Sequence, residues 1–122
     1  MPLPSDDALG TIYLLHFSGK TSQRRQHYLG WTSNTEARFG RHRSGWGARE
    51  TKKARAEGLK LTMAQTWTGT PLLERRLKEW SREGKKGFAG ICPLCPKQDV
   101  LPPELAGELG APSLRVRYLE AG

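Results

Sequence analysis

Two short segments near the N-terminus, both rich in β-branched and aromatic residues, constrain the fold of this chain more than any other feature. Residues 11–17 (TIYLLHF) predict a strand that is buried on both faces, and residues 27–32 (HYLGWT) predict a second short strand. The polar, basic residues 18–26 connect the two segments, so we expect a β-hairpin with a long loop. A sheet is therefore expected to begin at the start of the chain.

Helix signals and a third strand follow the hairpin. Ser33 and Glu36 fit the capping-box pattern S-x-x-E, which predicts that a helix starts at Ser33. A second, strongly basic helix is expected over residues 48–57, where Gly58 would end it. Residues 59–67 alternate between apolar and polar side chains, which is the period of a half-buried strand.

The clearest helix in the sequence starts at Thr70. Thr70 is the expected N-cap, and Pro71 stands at the first helical position, where its missing N–H costs nothing. Gly84 is expected to end this helix. Apolar residues at helical spacing form the side that would face the core: Leu73, Leu77 and Trp80.

These elements predict an α/β (α+β) domain in the order β-β-α-α-β-α. We expect a three-stranded, mainly antiparallel sheet flanked by helices. The length of 122 residues fits one such domain. We place an N-terminal extension at residues 1–9, the domain at residues 10–95, and an irregular tail at residues 96–122 that includes a candidate edge strand at residues 114–119.

Composition excludes several classes of protein. No apolar run approaches the ~20 residues that a membrane span needs, so no membrane association is expected. The N-terminal residues lack the basic and apolar regions of a secretion signal. Two cysteines do not make a disulfide scaffold, and the expected compartment is the reducing cytoplasm.

The positive charge is concentrated in one stretch. The formal net charge is +8, and residues 38–60 contain eight Lys and Arg residues against two acidic residues. Such a stretch is typical of proteins that bind a phosphate backbone, although a solvated basic helix is the alternative on charge alone. Trp46 lies within it and would either pack onto the domain surface as a loop aromatic or stack on an unpaired base. The candidate DNA-binding residues are Arg41, Arg43, Trp46, Arg49, Lys52, Lys53 and Arg55.

Two tripeptides in the predicted hairpin carry a resemblance to a known family. Residues 11–13 read T-I-Y and residues 28–30 read Y-L-G. They resemble the two signature tripeptides of the GIY-YIG endonuclease family, each with one substitution. The resemblance extends over about residues 10–80. Three further residue types stand in the family's order and in the expected elements: Arg38, His42 and Glu74.

The resemblance implies a metal-dependent endonuclease that hydrolyses DNA phosphodiester bonds. Tyr13 and Tyr28 would activate and orient the water, and the residues do not say which does which. Arg38 would stabilise the phosphate, and His42 would relay a proton or contact the phosphate. Glu74 would hold Mg²⁺ or Mn²⁺, the expected cofactor. Without the resemblance, the tyrosines would be interpreted as core aromatics, and Glu74 as part of an exposed ion pair.

Two alternatives remain open from the sequence. Trp31 stands where several relatives have Lys, and the Asn that relatives often have after the metal-binding Glu is missing. These departures favour a catalytically inactive nucleic-acid-binding module on the same scaffold. An RNA nuclease differs from the first interpretation only in substrate. The expected partner is DNA, and a second protein or a homodimer would supply specificity.

Cys92 and Cys95 have the C-x-x-C spacing of half a zinc site. A closed structural zinc site needs four ligands, and the sequence contains neither a second C-x-x-C nor an H-x₃-H. Zinc bound by Cys92 and Cys95, within one chain or shared in a dimer, is therefore the less favoured interpretation. The two cysteines are instead interpreted as a small, redox-inert pair.

Overall fold

The computed structural model describes residues 5–18, 27–44, 49–84, 87–96, 99–110 and 117–119. Four strands are present in these ranges: β1 (Gly10–Ser18), β2 (His27–Thr32), β3 (Lys60–Gly69) and β4 (Arg117–Leu119). They form one antiparallel sheet in the order β2-β1-β3-β4. The mixed α/β class and the predicted order of the first six elements are confirmed.

Helices cover both faces of this sheet. They are α1 (Thr35–Ser44), α2 (Arg49–Ala56), α3 (Pro71–Glu83), α4 (Pro103–Leu109) and a 3-10 helix, Gly87–Gly90. Helices α1 and α2 contribute Phe39 and Ala54 to the core on one face. Helices α3 and α4 contribute Leu73, Leu77 and Leu109 to the core on the other. Among the described helices, none combines the length and apolar composition needed to cross a membrane.

The two predicted helix starts have different outcomes. Thr70 caps α3 as expected: its hydroxyl accepts from the Leu73 N–H at 3.2 Å, and Pro71 follows it. The predicted capping box at Ser33 is wrong. The cap of α1 is Asn34, whose side-chain oxygen accepts from the Ala37 N–H at 3.1 Å. An Asx oxygen satisfies an orphan N–H as well as a serine does, so the helix begins one residue later.

The C-terminal tail is more regular than predicted. Helix α4 lies in the stretch expected to be irregular, and its Leu109 side chain is buried against the core. Strand β4 pairs with β3 at the sheet edge, where the candidate edge strand was placed. Because Pro103 occupies the start of α4 and Gly110 adopts φ +67° directly after it, the Pro/Gly-rich composition marks helix ends here.

Candidate active site and metal centre

Tyr13, Tyr28 and His42 form a tyrosine–histidine cluster on the face of the sheet that α1 and α2 cover. The two tyrosine rings lie 6.2 Å apart between centroids, and the His42 ring lies 5.5 Å from Tyr13 and 5.2 Å from Tyr28. In the β1–β2 ladder, Tyr13 lies directly opposite Gly30. Because Gly30 has no Cβ, the ring of Tyr13 can lie against its backbone. The two tripeptides that carry the family resemblance therefore lie side by side on neighbouring strands.

His42 links the cluster to α2 through two short hydrogen bonds. Its Nε2 lies 2.8 Å from the Tyr13 hydroxyl, and its Nδ1 lies 2.8 Å from the Thr51 hydroxyl. A neutral imidazole has one N–H and one lone pair, so one hydroxyl donates to the ring and the other accepts from it. Thr51 was not among the predicted site residues. The sequence offers only a weak signal, a small hydroxyl residue in a helix that is otherwise mostly charged, and the structure shows that this residue is buried.

The environment keeps both members of the Tyr13–His42 pair neutral. Burial, followed by the charges of Arg38 and Arg41, lowers the pKa of His42 to about 4. Burial, followed by the proximity of Tyr28, raises the pKa of Tyr13 above its ordinary value, against the charge and hydrogen bonding of Arg38. Burial therefore disfavours the transfer of a proton from Tyr13 to His42, because it raises the pKa of the donor and lowers that of the acceptor.

Glu74 approaches the cluster from the first turn of α3. Its side chain is only 13% exposed, and Lys78, one turn later, places Nζ 3.1 Å from the carboxylate. The same Nζ lies 5.9 Å from the centroid of the Tyr28 ring. The carboxylate also contributes to the raised pKa of Tyr13. Arg38 and Glu74 therefore both act electrostatically on Tyr13, from α1 and from α3.

Trp31 lies outside this site. Its indole N–H donates to the Gly69 carbonyl at 3.0 Å, and its side chain packs against the core on the α3 side. The residue that departs from the family pattern thus has a packing role.

Four of the predicted DNA-binding side chains are exposed on α1 and α2: Arg41, Arg49, Lys52 and Lys53. Trp46 and the side chains of Arg43 and Arg55 lie outside the described part of the structure. The four exposed cations are within two consecutive helices that also carry His42 and Thr51.

The low pKa of His42 predicts a loss of stability in acid. The folded protein holds this imidazole neutral down to about pH 4, whereas the unfolded chain protonates it near pH 6.5. Between these values the unfolded state binds more protons, so stability falls as the pH falls, by ~1.4 kcal/mol per pH unit and ~3 kcal/mol in all. Urea unfolding of the protein and of His42→Gln, each measured at pH 7 and pH 5, checks this. We expect a shallower pH dependence in the variant, and an equal dependence in both would contradict the prediction.

A second group of titratable side chains lies on the opposite face of the same two strands. We call His16, His27, Cys92 and Cys95 the His/Cys cluster, and their ligand atoms all lie within 4.8 Å of one another. His16 and His27 are direct partners in the β1–β2 ladder. The cysteines come from the turn after the 3-10 helix, where the Cys95 N–H donates to the Cys92 carbonyl at 3.2 Å.

Burial changes the pKa values of three members of this cluster, His16, His27 and Cys92. It lowers the pKa of His16 and, together with the charge of His16, lowers that of His27 to about 4. Burial also raises the pKa of the Cys92 thiol to about 12. The imidazoles are therefore neutral at pH 7 and retain lone pairs that can bind a metal.

The His/Cys cluster overturns the sequence-based prediction of the cofactor. Mg²⁺ or Mn²⁺ was expected and zinc was not, but two imidazole nitrogens and two sulfurs are a donor set for zinc, whereas Mg²⁺ prefers hard oxygen ligands. The interpretation of Cys92 and Cys95 as an isolated pair is also wrong, since His16 and His27 meet them. Sequence reasoning missed this metal site because the two histidines belong to different strands, and only the pairing of β1 with β2 brings them together.

Comparisons with protein-family models, with curated proteins and with solved structures find no significant match to this chain.

Proposed function

We propose that this chain is an endonuclease that hydrolyses phosphodiester bonds of DNA, acting in the reducing cytoplasm. The observation that carries the proposal is the hydrogen bond of 2.8 Å between Tyr13 and the buried His42, beside Tyr28. These residues belong to the two strands and the helix on which the resemblance to GIY-YIG endonucleases rests. The charges of Arg38, on α1, and Glu74, on α3, both act on the pKa of the Tyr13 hydroxyl.

The burial of the two tyrosines supports a division of roles. Tyr13 is 1% exposed and its hydroxyl is bound to His42, whereas Tyr28 is only half-buried. A water molecule and a phosphate therefore reach Tyr28 more easily, and we assign the orientation and activation of the water to Tyr28, whose hydroxyl would accept a proton from the water while passing its own to solvent. Tyr13 and His42 are positioning residues in this proposal, because both are buried and the hydrogen bonds to Tyr13 and Thr51 occupy both ring nitrogens of His42.

Two charged residues would act on the phosphate itself. Arg38 offers a planar guanidinium that matches two phosphoryl oxygens. Glu74 offers a carboxylate to a divalent cation, which would offset negative charge on the phosphate. Lys78, now 3.1 Å from that carboxylate, would have to give way to the cation. The exposed cations of α1 and α2 would hold the DNA backbone without reading its sequence.

The test is a cleavage assay with three substrates: supercoiled plasmid, labelled single-stranded DNA and labelled RNA. Each is incubated with the purified protein, with a panel of divalent cations and with a chelator. We expect cation-dependent cleavage of DNA by the wild type, and a loss of ~100-fold or more in Tyr28→Phe and Glu74→Gln. Glu79→Gln is the matched control, because Glu79 is an exposed carboxylate on the same helix.

Three outcomes would overturn the proposal. Cleavage of RNA alone would make the protein an RNA nuclease. Binding of DNA without cleavage under every cation would favour an inactive binding module. Equal activity of Glu74→Gln and Glu79→Gln would remove Glu74 from the reaction.

A further inference from the structure

We propose that His16, His27, Cys92 and Cys95 bind one Zn²⁺ ion in a closed, four-coordinate structural site. This inference rests on the geometry of the His/Cys cluster and does not depend on the proposed nuclease activity. The cluster lies on the opposite face of the sheet from the tyrosine–histidine cluster, because alternate residues of β1 and β2 point to opposite faces.

Four of the six distances between ligand atoms are close to those of a tetrahedral zinc ion, and all six are within 4.8 Å. Bond lengths of ~2.0–2.1 Å to nitrogen and ~2.3 Å to sulfur place two nitrogens about 3.3 Å apart and a nitrogen and a sulfur about 3.6 Å apart. The His16 Nδ1 and His27 Nε2 atoms are 3.1 Å apart. The measured nitrogen–sulfur distances are 3.3 Å for His27–Cys95, 3.6 Å for His16–Cys92 and 3.7 Å for His16–Cys95.

Hydrogen bonding does not account for this arrangement. The Nδ1 atom of His16 lies within 3.7 Å of His27 Nε2 and of both sulfurs. A ring nitrogen of a neutral imidazole has either one hydrogen or one lone pair, so it cannot make three such bonds at once. A cation among the four atoms would account for all of these contacts together, since each atom would then be a ligand of the same ion.

The fold explains how ligands so distant in sequence come together. The register of β1 and β2 sets His16 and His27 side by side on one face. After α3, the chain returns to that face through the 3-10 helix, and Cys92 enters the core there with no exposure. The C-x-x-C turn then presents both sulfurs to the histidines. The ion would thus join the hairpin to the segment after α3.

The chemistry of the site indicates a structural role. Four protein ligands complete a tetrahedral zinc site and leave no position for water or substrate, whereas catalytic zinc sites keep one open. Soft thiolates combined with imidazoles select zinc over cations that prefer oxygen. The ligands are buried or half-buried, so water is largely kept from the ion.

The test begins with the wild-type protein, purified under reducing conditions without added metal. We expect about one zinc per chain by elemental analysis. After the zinc is removed and replaced with Co²⁺, we expect the visible absorption of tetrahedral cobalt together with thiolate-to-cobalt charge transfer. We also expect a strong chelator to lower the melting temperature. These measurements need no variant and so remain valid if a ligand substitution prevents folding.

Two variants separate ligation from packing. Cys95→Ser removes a ligand, and we expect it to lose the zinc and the cobalt–thiolate bands. Leu94→Ala is the matched control, because Leu94 is half-buried in the same turn and packs against the same core. It should keep about one zinc per chain. The proposal is overturned if the wild type holds no zinc and shows no thiolate–cobalt band, if Cys92 and Cys95 form a disulfide in the reduced preparation, or if Cys95→Ser retains full zinc content.

Discussion

Arg38→Lys is expected to lower the rate of DNA cleavage by ~100-fold or more while the protein stays folded. The Nε atom of Arg38 is buried and has no hydrogen-bond partner among the described residues, although its guanidinium charge acts on both Tyr13 and His42. Lysine preserves the charge but loses the planar fork that grips two phosphoryl oxygens. The loss should therefore appear in the chemical step, measured as the single-turnover rate at saturating protein.

The matched control for this prediction is Arg41→Lys, a change of the same kind on the same helix. Arg41 is exposed, and we assign it to the DNA backbone. We expect that variant to bind DNA and to cleave it at a rate within a few-fold of the wild type. If Arg38→Lys cleaves as fast as Arg41→Lys, Arg38 does not contact the reacting phosphate.

Sequence reasoning predicted the elements of the first 84 residues well because the signals for them are local. Strand alternation, the Thr70 cap and the glycine after α2 each depend on neighbouring residues. The wrong cap at Ser33 shows the limit of this approach. Both Ser33 and Asn34 can cap a helix, and the side-chain oxygen of Asn34 is the one that bonds the Ala37 N–H.

The two clusters differ in how far they could be foreseen. Tyr13, Tyr28 and His42 were selected together through the resemblance, which supplied a spatial relation that spacing alone does not contain. Thr51 completes their hydrogen-bond chain, but a threonine in a basic helix carries no pattern that links it to a histidine nine residues earlier. Only the packing of α1 against α2 in the folded chain brings the Thr51 hydroxyl to His42.

The His/Cys cluster was missed for a related reason. Zinc-site patterns in sequences rely on pairs of ligands at short spacing, and here only Cys92 and Cys95 form such a pair. His16 lies 76 residues before Cys92, and a strand register brings it into place. Helix α4 was missed because its stretch contains prolines and glycines, which are typical of loops, whereas here Pro103 and Gly110 stand at the two ends of the helix.

Gly30→Ala is expected to lower the free energy of unfolding by ~2–4 kcal/mol and the melting temperature by about 10 °C. A Cβ on Gly30 would lie 2.5 Å from the Tyr13 Cζ and would also contact the hydroxyl. The ring cannot move aside easily, because its hydroxyl is bound to the buried His42. The same displacement would break the hydrogen bond to His42, so DNA cleavage should fall together with stability.

Gly40→Ala tests whether this cost comes from the contact with Tyr13 or from the loss of a glycine in general. Gly40 lies within α1, and a Cβ there would meet nothing within 4 Å. Alanine favours a helix over glycine, so this variant should be more stable than the wild type by ~0.5–1 kcal/mol. Thermal unfolding of the two variants should thus shift in opposite directions. A shift of the same sign and size in both would show that Tyr13 does not require a glycine opposite it, and the packing assigned to the tyrosine–histidine cluster would be wrong.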